Sequence, residues 1–210
     1  TITYTEKAAN ELKSRLINKV GQKAHPMFVG TFHSFCYKLM KDYQINNADS
    51  SLLIDQSEAV HMILENYDEF MPFMSDEFSI NPRRSVVESF IPFFNRLRDE
   101  LVDIDKVDQS IIKEFYSDDS ESYDQLNDLL RIFPIYQKLK KENNLIDYND
   151  MILDTFHFLK NDTRLLEEIQ IKYRHLIIDE FQDNNYALNE ISRLSSKNNK
   201  SITVVGDDDQ

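Results

Sequence analysis

Two acidic clusters in this chain follow directly on apolar runs. In "HLIIDEFQD", residues His175 to Ile178 lead into Asp179 and Glu180, with Gln182 and Asp183 close behind. In "SITVVGDDDQ", a second apolar run ends on Gly206, three acids from Asp207 to Asp209, and Gln210. Burying a carboxylate is costly without a cation or hydrogen bonds, so an acid pair behind a buried strand has two readings. Either it is the ordinary solvated end of that strand, or the acids are held there for a metal ion and a water. In the second reading Asp179 holds Mg²⁺ bound to phosphates, and Glu180 orients or deprotonates an attacking water. The second cluster favours it. Two such strands side by side in a parallel sheet deliver both loops to one carboxyl edge, where open α/β sheets bind ligands. A loop tip of solvated Asp residues remains the plainer reading of the second cluster. Neither stretch has the Asp/Asn spacing and turn glycine of an EF-hand.

The elements that must position these acids are legible as alternating strands and helices. "ITYT" is β-prone, and Ala8, Ala9, Leu12, Leu16 and Val20 then recur at helical spacing behind Thr5 as N-cap. "MFVGTF" reads as a second strand, followed by a helix with Phe32, Phe35, Cys36, Leu39 and Met40 as its apolar stripe. Alternation of this kind predicts parallel α/β architecture. From about Ser57 to Asn143 the strand signal disappears and four helical patterns follow one another, with Pro134 expected to kink the last or begin a new turn. We read residues 57–143 as an inserted all-helical subdomain. The α/β pattern resumes at "DYNDMILDTFHFL", with a helix near 162–172, the strand "HLIID", a helix near 186–196 and the strand "SITVV".

Composition sets bounds on function. The chain has 210 residues, 41% hydrophobic and 29% charged, with 3 Gly and 5 Pro, an ordinary globular balance that favours helices over short-stranded sandwiches. No apolar run approaches the length of a membrane span, no signal peptide is evident, and one cysteine with five histidines forms neither a disulfide framework nor a zinc set. A cytoplasmic setting and no membrane partner are therefore expected by default. The net charge of −13 looks wrong for a nucleic-acid binder. Its distribution answers the objection: residues 1–48 carry 7 Lys and Arg against 3 acids, and residues 49–130 carry 6 against 20. A face built from the first segment is locally basic.

Five stretches in one order make a specific resemblance. "IIDEFQD" and "VVGDDDQ" resemble the Walker B and following motif of superfamily 1A DNA helicases of the UvrD/Rep/PcrA type. "TYTEKAANELKSRL" resembles that family's "TFTNKAAxEMxxRI", "GTFHSF" its "GTFHS", and "IDYNDMI" its "DFDDLL". The resemblance implies a P-loop NTPase (RecA-like) fold, a parallel sheet with helices on both faces, divided as 1–56 and 144–210 around the helical insertion. It implies ATP and Mg²⁺ as cofactors, and movement on single-stranded DNA, 3′ to 5′, with separation of duplex DNA. Residue by residue it gives Asp179 the Mg²⁺, Glu180 the water, and Gln210 the sensing of the γ-phosphate. It places Thr3, Tyr4, Thr5, Thr31 and His33 along single-stranded DNA, leaving Gln182, Asp183 and Asp207 as motif residues without a settled role.

The residues themselves lend support. Thr5 and Thr31 stand where strands feed helix N-termini, which suits a phosphate, and Tyr4 and Phe32 could offer faces to unpaired bases. The plainer alternative makes Thr5 only a cap and both aromatics core. Cys36 reads as a small buried residue rather than a nucleophile.

There are departures. No glycine here (Gly21, Gly30, Gly206) begins a G-x-x-x-x-G-K-[ST] loop. We therefore expect an excerpt of a larger helicase that does not hydrolyse ATP alone. Leu188 stands where the family usually has Gln, Asn149 where it has an acid, and Glu6 where it has Asn. A helicase-nuclease of the AddA/RecB kind is an alternative, against which "GDDDQ" stands, since those relatives usually carry "GDPKQ". A degenerate module that binds DNA, or a protein partner through the acidic helical segment, is the other.

Overall fold

The computed structural model describes residues 1–47, 50–196, 201–207 and 209. The chain opens with β1 (Ile2–Thr3), α1 (Glu6–Val20), β2 (Gly30–Thr31) and α2 (Phe32–Asp42). Then follow β3 (Leu52–Ile54), α3 (Gln56–Glu65), and the short helices α4 (Tyr67–Phe70), α5 (Asp76–Ile80) and α6 (Pro82–Ser85). A π-helical turn over Val86–Phe90 leads into α7 (Ile91–Asp99), and α8 (Gln109–Phe115) precedes the long α9 (Ser120–Glu142). The last part comprises β4 (Leu145–Asp147), α10 (Tyr148–Asn161), α11 (Thr163–Lys172), β5 (His175–Ile178), α12 (Tyr186–Ser196) and β6 (Ser201–Val204). This is a mixed α/β molecule, mostly helical, with a parallel sheet.

It divides into two compact units, Thr1–Asp49 with Asp150–Gln210, and Ser50–Asn149. The first holds a four-stranded sheet in the order β2-β1-β5-β6, parallel throughout. Parallel neighbours need crossover segments, and α1 supplies the one from β1 to β2. It begins at Thr5, whose hydroxyl accepts the Ala8 N–H at 3.2 Å. It ends at Gly21, whose φ of +61° with ψ of −138° is a backbone conformation open to glycine and rarely adopted by residues with a Cβ. All five residues of the expected α2 stripe are buried, whereas on α1 only Ala9 is, and Val20 is 42% exposed. Burial pushes the Cys36 thiol up to about 12; this side chain is inert core, as the sequence suggested. Leu188 is also core, 7% exposed, which explains an apolar residue there.

The second unit has its own apolar interior. Phe90 lies at its centre, 5.3 Å edge-on from Phe78 and 6.1 Å from Phe94, and Phe94 stacks 5.0 Å from Tyr136. Residues 57–143 contain no strand among those described, but the unit is not all helix. β3 and β4 pair in parallel, Leu53 opposite Ile146 and Ile54 opposite Asp147. Pro134 lies inside α9, which continues through it.

Asp147 ends β4 buried among cations. Arg98 donates to both its carboxylate oxygens at 2.7 Å, and Lys140 and the Tyr136 hydroxyl each donate to Oδ2 at 2.7 Å. Burial alone would raise this carboxyl, but the Arg98 and Lys140 charges outweigh it and hold it well below the usual carboxylate range. Asn149 donates to Asp99 Oδ1 at 3.1 Å, and burial raises the Asp99 carboxyl. An acid at 149 would confront Asp99 with a second carboxylate, a physical reason for the amide at this position.

Candidate active site

The carboxyl ends of β5 and β6 converge. The two strands pair in register from His175 opposite Ser201 to Ile178 opposite Val204. The ladder continues past their ends: Val205 N–H donates to Ile178 O at 2.8 Å, and Phe181 N–H donates to Val205 O at 3.0 Å. On the other side of β5, Asp179 N–H donates to Ile2 O at 2.9 Å, so the backbone of Asp179 is fixed between β1 and β6. Its side chain is half-buried, and no hydrogen bond or ion pair among the described residues engages its carboxylate.

Glu180 is exposed and sits in the left-handed region, φ 54° and ψ 47°. That conformation costs a non-glycine residue roughly 1–2 kcal/mol. It turns the chain sharply, so that the short helical turn Phe181–Asp183 folds back towards β6. Here Gln182 makes two bonds with one amide: Nε2 donates to Glu180 Oε2 at 2.6 Å, and Oε1 accepts the Asp207 N–H at 3.1 Å. Gly206 lies directly beneath. A Cβ built on it would stand 2.7 Å from Gln182 Oε1 and 3.4 Å from the backbone nitrogens of Phe181 and Gln182. Asp183 is exposed, its N–H donating to Glu180 O at 3.0 Å. Gln210 lies outside the described residues.

Sequence reasoning singled out every member of this group except Gly206, but the Gln182 bridge was invisible to it. The bridge joins positions 25 residues apart, and no local pattern announces such a contact.

The proposed metal ligand passes a chemical test. Mg²⁺ takes hard oxygen donors and in phosphate-transfer sites needs only one or two carboxylates, the remainder coming from phosphates and water. Asp179, uncommitted at a sheet's carboxyl edge, fits that demand. Among the described residues no group of three or more His, Cys, Asp or Glu could hold a metal by itself, so phosphate oxygens would have to complete the shell.

The ends of β1 and β2 treat the remaining candidates unequally. Tyr4 is 61% exposed and presents its ring to solvent. Thr5 caps α1, and His33 is exposed on the first turn of α2, its pKa lowered by partial burial of the ring. Thr3 is buried, its hydroxyl donating to Thr5 O at 3.0 Å. Thr31 is buried as well, in a capping box with Ser34, and its hydroxyl donates to Glu6 Oε1 at 3.0 Å. The acid at position 6 thus ties the start of α1 to the start of α2. Phe32 corrects the sequence expectation: it is 5% exposed, because it is the first member of α2's core stripe, and offers no face to a base.

A family model described as the UvrD/REP helicase N-terminal domain matches residues 1–210. A probable DNA helicase II homolog of Mycoplasma genitalium is 28% identical over 212 residues, covering 100% of this chain and 28% of its own length. The ATP-dependent DNA helicase PcrA of Staphylococcus epidermidis is 27% identical over 214 residues, covering 100% of this chain and 26% of its own. PcrA of Staphylococcus aureus strain Mu50 is 28% identical over 214 residues with the same coverage. The chain therefore spans 26–28% of the length of these relatives.

Proposed function

Because the chain belongs to the UvrD/REP helicase N-terminal domain family, we propose that it is part of the first, RecA-like motor domain of an ATP-driven DNA helicase. Residues 57–143 would be a helical subdomain inserted in that motor. The observation that carries this reading is the meeting of Asp179, Glu180 and Asp207 at the joined ends of two parallel strands. ATP with Mg²⁺ would supply the phosphoryl group whose hydrolysis drives the motor. Asp179 would hold the metal through its uncommitted carboxylate. Glu180 would take the proton of the attacking water, and Gln210 would contact the γ-phosphate. The phosphate cradle would be supplied by residues other than these 210, since none of the three glycines begins such a loop.

Single-stranded DNA would cross the neighbouring strand ends. Tyr4 would stack on a base, Thr5 would turn the free N–H groups of α1 towards a phosphate, and His33 would contact the backbone as a neutral donor or acceptor. The parent protein would then move 3′ to 5′ in a cytoplasmic setting and separate duplex DNA.

The test is Glu180→Gln in the full-length parent. ATP binding should persist while DNA-stimulated turnover falls by about 10²–10⁴, the usual worth of a general base. Turnover close to the unsubstituted protein's would refute the assignment.

A further inference from the structure

We infer that Gln182 is a positioning residue, a two-ended amide staple that holds Glu180 in its working orientation by anchoring it to the loop after β6. The inference rests on the reading of Glu180 as the residue that activates water, and adds how that side chain is held.

Glu180 cannot be steady by its own means. It is exposed, it follows the last ladder residue of β5, and its left-handed backbone is unfavourable for a side chain with a Cβ. Such a residue is retained when its surroundings over-determine it. Among the described residues, the Phe181 N–H bond to Val205 O and the Asp183 N–H bond to Glu180 O fix the turn, and the Gln182 amide fixes the carboxylate.

The amide, with a donor and an acceptor on one planar group, serves both ends. Its nitrogen donates to Glu180 and its oxygen accepts from Asp207 N–H. A Glu at 182 would keep the acceptor, lose the donor and set a second charge against Glu180. An Asn would fall short by one methylene. A Met would match the length with neither function. Gly206 completes the device, since only a residue without Cβ lets the Gln182 oxygen descend onto the Asp207 N–H. Motion of the loop after β6 would therefore be felt at the Glu180 carboxylate through the Gln182 amide.

The experiment uses the full-length parent and two readouts. The first is DNA-stimulated ATP turnover, separated into kcat and KM. The second is amide hydrogen exchange of the segment containing Asp207, measured without nucleotide. Gln182→Met should lower kcat by about 10–100-fold, in the range that an ångström of misplacement costs, leave KM for ATP within about threefold, and speed exchange at Asp207. Gln182→Glu should lower kcat similarly while Asp207 stays protected, because its acceptor remains.

A Gln182→Met enzyme with kcat within about twofold of the unsubstituted protein would overturn the inference, as would unchanged exchange at Asp207. Glu180→Gln serves as the control for the underlying reading. If that variant turns over normally, the role of Glu180 fails and the catalytic purpose of the staple fails with it. If it is inactive and Gln182→Met is normal, only the staple is wrong.

Discussion

At the scale of single residues, burial separates side chains that the sequence presents as equivalents. Tyr4 and Phe32 are both aromatics next to a helix-capping threonine, but Tyr4 is 61% exposed and Phe32 5%. Tyr4→Ala should weaken single-stranded DNA binding by ~1–3 kcal/mol, the worth of one stacked base, with thermal stability unchanged. Phe32→Ala should cost about 3–5 kcal/mol of stability through the cavity it leaves. Titration of DNA by fluorescence anisotropy and thermal unfolding read the two effects apart; a DNA defect confined to Phe32→Ala would reverse the assignment.

Asp147 makes the complementary case of a buried acid whose purpose is structural. Its folded pKa lies below the unfolded value, so it adds stability above about pH 4 and loses that contribution as the pH falls through the folded value. Asp147→Asn strands Arg98 and Lys140 without their counter-charge and should cost about 3–5 kcal/mol near neutrality. The gap between variant and parent in acid titrations of unfolding should narrow below pH 4. A gap that stays constant there would show that the carboxylate charge is not what matters.

At the scale of elements, the helices followed from local pattern and the strands less so. α2 begins where Thr31 and Ser34 close a capping box and runs along a complete buried stripe. Thr31→Ala should cost about 1 kcal/mol, the usual worth of such a cap, and shift the melting temperature of the chain down by a few degrees; no shift would mean that the Glu6 contact and the cap are dispensable. "MFVGTF" reads as a strand of six residues but pairs only at Gly30 and Thr31. β3 and β4 went unrecognised because each has three residues and their partners lie 93 positions apart, Leu52 opposite Leu145. Both stretches read Leu-Ile-Asp, at 53–55 and 145–147, but the register offsets them by one residue and sets Asp147 opposite Ile54.

At the scale of the whole molecule, the charge imbalance follows the division into units. Residues 50–149 carry 10 Lys and Arg against 21 Asp and Glu, a net of −11, leaving −2 for the remainder. This unit has its own aromatic core, its own buried ionic cluster, and strands near both of its ends that pair with each other. Expressed alone it should fold cooperatively, and added salt should raise its melting temperature by screening self-repulsion. A non-cooperative melt with dye-binding apolar surface would show that the core is incomplete without the other unit.

The sequence by itself determined the chemistry on offer and its order along the chain: acids behind apolar runs, caps before amphipathic helices, and five motifs in a family's order. These depend on residue type and short spacing, which local backbone preference and burial translate directly into structure. Which of those residues touch was decided only by tertiary structure. The pairing of β5 with β6 brings Gln182 to Asp207, the folding of α7 and α9 brings Arg98 and Lys140 to Asp147, and the closing of α1 on α2 brings Glu6 to Thr31. Each contact joins residues separated by loops or whole helices. Its geometry is set by strand register and core packing, quantities that belong to the folded chain and to no window of its sequence.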